Sequence, residues 1–258
     1  MKPLSIIKIG GNIVDDETVL SDFINRFKSV EGPKILVHGG GKLASKLSLE
    51  LGLEPRMEQG RRITCAETLK ITTMVYAGLI NKSITAILNS RGVKAIGLCG
   101  ADLFLIPAEK RKRGVVDFGF VGDVLADQIN VEEIGHLLSR NITPVIAPVT
   151  SDHSGQLLNT NADTIASSLA VALAGSYSVN LVFGFEKEGV MHDEEVIKKL
   201  DLREYDSLKA RKIITDGMIP KLDNAFDALS KGVNKVTIGN ASKVDQLILS
   251  DEGTHISR

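Results

Sequence analysis

The chain has 258 residues, 43% hydrophobic and 24% charged, with a formal net charge of −1. That is enough apolar material to bury a core in one α/β domain or two fused lobes. The balanced charge argues against a general nucleic-acid surface, and the one basic block, Lys110 to Arg113, reads as a solvated turn.

Two cysteines, Cys65 and Cys99, lack metal-ligand spacing and point to a reducing compartment. The first apolar run is too short for a signal peptide, so a cytoplasmic location is expected. The uncharged stretch Thr164 to Phe185 contains four serines, an asparagine and a Gly-Ser break. It reads as a buried helix, a turn and a buried strand, not as a membrane span.

In chain order, an apolar strand at Leu4–Ile9 precedes a helix at Asp16–Ser29. A strand at Lys34–His38 precedes a helix at Lys42–Leu51. A long helix at Ala66–Ser90 leads to a strand at Lys94–Cys99, and a helix at Val131–Arg140 leads to a strand at Thr143–Val149. A helix beginning near Asn161 leads to Val179–Phe183, and a helix at Ile219–Lys231 leads to Asn234–Gly239. Strands apolar on both faces and separated by helices predict a mainly parallel sheet between helix layers. Two Gly-rich segments, Glu54–Thr64 and Asp102–Val124, are expected as β-hairpins decorating that sheet. A two-lobed molecule is expected, with residues 1–175 in one lobe and 176–258 in the other.

The chemistry collects in the loops after the strands. Lys8 lies inside an otherwise apolar strand and is followed by Gly10, Gly11 and Asn12; the second strand is followed by Gly39, Gly40 and Gly41. Gly100 and Gly239 follow two others. Ligands of open parallel sheets bind at the carboxyl ends of the strands. Glycine there lets backbone N–H groups approach an anion. One such loop is explained by a tight turn; several on one edge suggest a ligand with many anionic oxygens. The run "HGGGKLA" fits the dinucleotide fingerprint permissively, but no strand ending in an acidic residue follows it. Nor is it a Walker loop, since Leu43 stands where Ser or Thr is required.

Asn159 and Asn161 precede a helix, with Asn161 as N-cap and Asp163 in the first turn, where the helix dipole favours a carboxylate. Lys221 sits near the start of a helix, where the dipole disfavours a cation; either it meets a phosphate or carboxylate, or it is a solvated surface lysine. Arg61 and Arg62 in the first hairpin suit bidentate carboxylate capture, or protect a strand edge from aggregation.

Together "KIGGN", "VHGGGK", "GRRIT", "LNTNAD" and "ITDGMIPKLDNA" resemble the amino acid kinase family, in order and over nearly the whole chain, and most closely its acylglutamate branch. The resemblance implies a three-layer αβα sandwich with an acylglutamate lobe and an ATP lobe. It implies transfer of phosphate from ATP, with Mg²⁺ carried by the nucleotide, to the side-chain carboxylate of N-acetyl-L-glutamate in arginine biosynthesis. By that resemblance Lys8 and Lys221 neutralise the transferring phosphoryl group and Asp163 holds both lysines. Gly40, Gly41, Arg62 and Asn159 hold the acylglutamate. Gly10, Gly11, Asn12, Lys187, Ile214 and Thr215 contact the nucleotide, with no metal bound by side chains.

Three departures set further expectations. Relatives carry a Ser/Thr-Asp pair where this chain has Gly184 and Phe185, so Lys187 is expected to take over part of the nucleotide contact. Arg61 replaces an apolar residue near the acyl methyl; either it faces solvent or it pairs with a carboxylate, making N-succinyl-L-glutamate the alternative substrate. Arginine-inhibited hexamers of the family carry an extra N-terminal helix, whereas this strand begins almost at Met1, so a homodimer without arginine feedback is expected. Competing readings are a kinase of the same fold acting on carbamate, aspartate, glutamate or a nucleoside monophosphate, a non-catalytic sensor, and a nicotinamide-dependent oxidoreductase.

Overall fold

The first strand, β1 (Lys2–Ile9), is buried from Leu4 to Ile9, with neighbours on both sides. A computed structural model describes residues 1–58, 60–214 and 218–257. After β1 come a short helix α1 (Gly11–Val14), then α2 (Glu17–Ser29), β2 (Lys34–His38) and α3 (Gly41–Glu50). The side chain of Asp16 caps α2 by accepting from the amides of Thr18 (2.9 Å) and Val19 (3.0 Å). A hairpin of β3 (Arg56–Glu58) and β4 (Arg61–Ile63) leads into a long helix, made of α4 (Ala66–Thr73), a π-helical segment (Met74–Ile80) and α5 (Asn81–Ser90).

Next come β5 (Ala95–Cys99), a second hairpin of β6 (Ala108–Lys110) and β7 (Gly122–Val124), α6 (Val131–Ser139) and β8 (Thr143–Ala147). A third hairpin, β9 (Val149–Ser151) with β10 (Leu157–Asn159), precedes α7 (Ala162–Leu173) and β11 (Tyr177–Phe185). The chain closes with β12 (Met191–His192), β13 (Glu195–Val196), β14 (Lys199–Leu200), α8 (Leu202–Ala210), α9 (Ile219–Ser230), β15 (Lys235–Asn240), α10 (Val244–Leu249) and β16 (Thr254–Ile256).

Eight strands form one sheet in the order β14-β16-β15-β11-β1-β2-β8-β5. Every neighbouring pair is parallel except β15 with β16. The chain leaves β1 toward β2 on one side and leaves β11 toward β15 on the other. The sheet therefore has a topological switch point between β1 and β11, the place where open α/β sheets bind ligands. The expected lobe boundary at 175–176 falls in the turn just before β11.

Side chains of a strand alternate between faces. Leu4 and Ile6 enter the core shared with Ile165, Leu169 and Leu173 of α7, while Ile7 and Ile9 enter the opposite core with Phe23 and Phe27 of α2. Lys8 has the parity of Leu4 and Ile6, so it faces the α7 layer. His38 has the parity of Leu36, so it faces the helices of the other layer.

The structure departs from expectation in three places. The predicted strand Thr143–Val149 divides into β8 and β9, because Pro148 lacks the N–H that a central strand needs. The predicted regular helix Ala66–Ser90 contains the π-helical segment. This 25-residue helix contains an 18-residue stretch of mean hydropathy 1.3, long and apolar enough to span a bilayer, yet 44% of that stretch is buried in the protein. The elements α1, β10, β12, β13, β14, α8, α10 and β16 were not anticipated.

His38 is fully buried at the end of β2. Its Nδ1 lies 2.8 Å from the Gly39 carbonyl, which can only accept, so Nδ1 carries the proton. Nε2 then accepts from the Asn81 amide at 3.2 Å, and the same amide nitrogen donates to the Val145 carbonyl at 2.8 Å. Burial holds the imidazole at a pKa of about 4 against 6.5 when unfolded. Because the folded pKa is depressed, the unfolded chain takes up the proton first. Stability is expected to be full above pH 6.5 and to fall between 6.5 and 4, by up to roughly 3 kcal/mol. Urea melts across that range should show this fall reduced in His38→Gln.

Candidate active site

Three charged groups from three elements meet on the α7 side of the sheet. Lys8 is 5% exposed, and its Nζ lies 2.7 Å from Oδ1 of Asp163. Asp163 lies in the first turn of α7, where Asn161 caps the helix by accepting from the Thr164 amide at 3.0 Å. Lys221 follows Pro220 in the first turn of α9 and donates to Oδ2 of Asp163 at 3.0 Å. The predicted tension at the start of α9 is thus resolved by a carboxylate partner. Burial alone would push the Asp163 carboxyl up, but the ammonium groups of Lys8 and then Lys221 outweigh it and hold the acid well below the usual carboxylate range. Burial pushes the Lys8 pKa down; Asp163 opposes that and Lys221 adds to it. The three groups carry a net charge of +1.

This cluster opens onto a cavity of about 200 Å³, lined by Lys8, Asp163, Gly40, Gly41, Arg62 and Asn159 among others. Arg62, 7% exposed, donates through Nη2 to the Gly41 carbonyl (2.8 Å) and the Ser45 hydroxyl (2.7 Å). Its Nη1 is buried without a hydrogen-bond partner. A buried guanidinium nitrogen without a partner is costly in the empty protein and suits a carboxylate ligand. Asn159 is fixed by donating to the Thr64 hydroxyl at 3.0 Å.

The hairpins around the cavity are stitched together. The Thr64 amide donates to the Phe118 carbonyl (2.9 Å), the Phe120 amide to the Thr64 carbonyl (2.8 Å), and the Asn159 amide to the Phe120 carbonyl (2.9 Å). Arg111, within the block read as a solvated turn, is half-buried and lines the cavity, whereas Lys110, Lys112 and Arg113 are exposed. Arg61 lines the cavity as well and is also exposed to solvent, so both expected placements hold in part. Sequence reasoning also missed Tyr76, Met57, Val121 and Gly122 in the lining. The hairpin positions of Met57, Val121 and Gly122 offered a signal; Tyr76 offered none.

The glycine loops occupy the carboxyl edge of the sheet as expected. Gly40 adopts φ +152°, and a Cβ there would strike Cδ1 of Ile80 and stand 3.2 Å from the Tyr76 ring. Gly11 and Gly41 begin helices, where the first N–H groups have no partner within the helix. Gly10 differs from its expected role, because its amide already donates to the Gly184 carbonyl at 3.3 Å. Asn12 and Lys187 are exposed, while the Ile214 side chain is 4% exposed and part of the core. Thr215 lies outside the described residues. Beyond β11, Glu188 accepts from Asn240 and from Lys243, both at 2.8 Å, a junction that sequence reasoning also missed. Among the described residues no group of three His, Cys, Asp or Glu side chains could hold a metal ion.

A buried and a half-buried lysine sharing one carboxylate beside glycine loops, with a buried arginine nitrogen left unpaired, suit a phosphoryl-transfer type of site on a three-layer α/β scaffold. A model described as the amino acid kinase family matches residues 3–240, and the chain belongs to that family. Within it, the chain is 52% identical over 254 residues to the acetylglutamate kinase of Cytophaga hutchinsonii, covering 96% of this chain and 95% of that one. It is 49% identical to the acetylglutamate kinase of Parabacteroides distasonis, covering 95% and 97%. The fold matches N-acetylglutamate synthase from Neisseria gonorrhoeae with a TM-score of 0.84 at 19% identity, over 99% of this chain and 59% of that one.

Gly40→Ala is expected to cost about 1–3 kcal/mol, from the forced φ and the clash with Ile80. A lowering of the melting temperature by several degrees, read by scanning calorimetry, checks this.

Proposed function

We propose that the chain transfers the γ-phosphoryl group of ATP to the side-chain carboxylate of an N-acylated glutamate, the step that gives N-acyl-L-glutamyl 5-phosphate in arginine biosynthesis. The observation that carries this is the pairing of a +1 lysine–aspartate cluster with the unpartnered Arg62 nitrogen on one small cavity. The relatives named acetylglutamate kinase support it.

The substrate α-carboxylate fits Arg62, and its amide lies near Asn159. The side-chain carboxylate is already ionised at neutral pH, so no general base is required. Its oxygen forms a bond to the γ-phosphorus as the bond to the ADP oxygen breaks, and ADP leaves. Two anions approach one another in that step. Lys8 and Lys221 offset the charge spread over the phosphoryl oxygens, and Asp163 keeps the two ammonium groups aligned. The amides of Gly11 and Gly41 add donors at the same edge.

In this reading residues 176–258 form the ATP lobe, with Asn12, Lys187, Ile214 and Thr215 toward the nucleotide. The buried Ile214 side chain limits that residue to backbone contact. Mg²⁺, held by the ATP phosphates, supplies further charge neutralisation; Asp163 is committed to its two lysines.

Two free cysteines fit a cytoplasmic setting. Leu79 (58% exposed) and Met74 (55% exposed) stand on the outer face of the long helix, next to a groove between α3 and α5 lined by Leu43, Leu79 and Ile87. That apolar face supports a homodimer.

Lys8→Ala and Lys221→Ala are each expected to lower kcat roughly 10²–10³-fold with the fold retained. A coupled ADP-release and hydroxamate assay with acylglutamates and free glutamate reads this, and near-normal turnover in either variant would refute the assignment. Leu79→Glu is expected to convert a dimer into monomer, as read by light scattering.

A further inference from the structure

The proposed reaction accounts for the Lys8–Asp163–Lys221 cluster and for Arg62. It leaves two arginines on the same cavity unexplained. Arg61 comes from β4, and Arg111 from the strand end after β6. Arg111 is neutralised: its Nε lies 3.0 and 3.2 Å from the two carboxylate oxygens of Asp123, and its Nη2 contacts the same group. Among the described residues Arg61 forms neither an ion pair nor a side-chain hydrogen bond. Glu58 stands opposite it in the β3–β4 register without pairing with it. Arg61 is exposed at the cavity mouth; its partial burial, and then the like charge of Arg111, still disfavour its charged form, and Asp123 offsets only part of that. Arg61, Arg111 and Asp123 together leave a charge of +1 on this wall.

N-acetylglutamate has no anion left to meet it, because its α-carboxylate and side-chain carboxylate are both taken. Val121 and Gly122 line the cavity too and offer an uncharged path for methylene groups. Resting on the function proposed above, we propose that the acyl chain of the substrate itself ends in a carboxylate. A short dicarboxylic acyl group such as succinyl fits, gripped by Arg61 with the Arg111–Asp123 pair behind it. A single charge-assisted contact of this kind corresponds to roughly 10–100-fold in specificity. Arg61 would then be a specificity determinant of the site and take no part in the phosphoryl step.

The test compares N-acetyl-, N-succinyl- and N-succinamoyl-L-glutamate, the last being the uncharged amide of nearly the same shape. In the ADP-release assay, kcat/KM for the succinyl compound is expected to exceed both others roughly 10–100-fold. Arg61→Gln is expected to collapse that ratio toward one, with a thermal melt confirming the fold. Equal or better kcat/KM with the acetyl compound overturns the inference and leaves the kinase assignment standing. So does a succinyl preference shared by the amide or kept in Arg61→Gln, since size and not charge would then be read. If none of the three is phosphorylated, the kinase reading falls. Titration calorimetry with the same compounds then decides the role of Arg61. Succinyl-selective binding lost in Arg61→Gln supports it, and equal binding of the acetyl compound refutes it.

Discussion

The site depends on one carboxylate shared by two ammonium groups in a place with almost no water. Asp163 is 7% exposed and Lys8 5%, so neither could carry a charge there alone. One aspartate pairs with two ammonium groups, yet cannot neutralise both. The surplus positive charge is confined between β1, α7 and α9, and only an incoming anion can complete the pairing. Removing the aspartate leaves two buried like charges facing each other, whereas removing a lysine leaves a neutral pair. The constraint thus falls most heavily on α7, whose capped first turn fixes the carboxylate.

The rest of the architecture supplies position. The parity of β1 turns Lys8 toward α7, and the cavity opens beside it. On the opposite face His38 stays neutral, locked between the Gly39 carbonyl and Asn81, so the triple-glycine loop rests on a hydrogen-bonded support that adds no charge to the site. Three hairpins joined through Thr64, Phe120 and Asn159 form the remaining wall. Arg62 and Asn159 are therefore held by a common backbone network.

Much of this was legible in the residues. Strands buried on both faces give apolar runs that need no tertiary information, and a lysine inside such a run, at Lys8, advertises a partner. Asn161 and Asp163 declared a helix start through local capping chemistry. Arg111 was illegible, because a basic run in a turn has the same composition whether or not one member folds back onto an aspartate twelve residues on. The π-helical segment was also hidden, since "MVYAGLI" is apolar enough to fit either helical period. The Glu188–Lys243 contact links residues more than fifty positions apart and leaves no local trace. Gly10 looked like a free donor until the pairing of its loop with β11 was seen.

The π-helical segment has a mechanical consequence. It shifts the angular position of everything that follows by a fraction of a turn. Tyr76 lines the cavity beside Gly40 while Met74 and Leu79, on the same rod, look outward. The rod has the cavity wall on one side and an exposed apolar surface on the other. One helix thus borders both the triple-glycine loop and an exposed apolar surface, so the two share a single structural element.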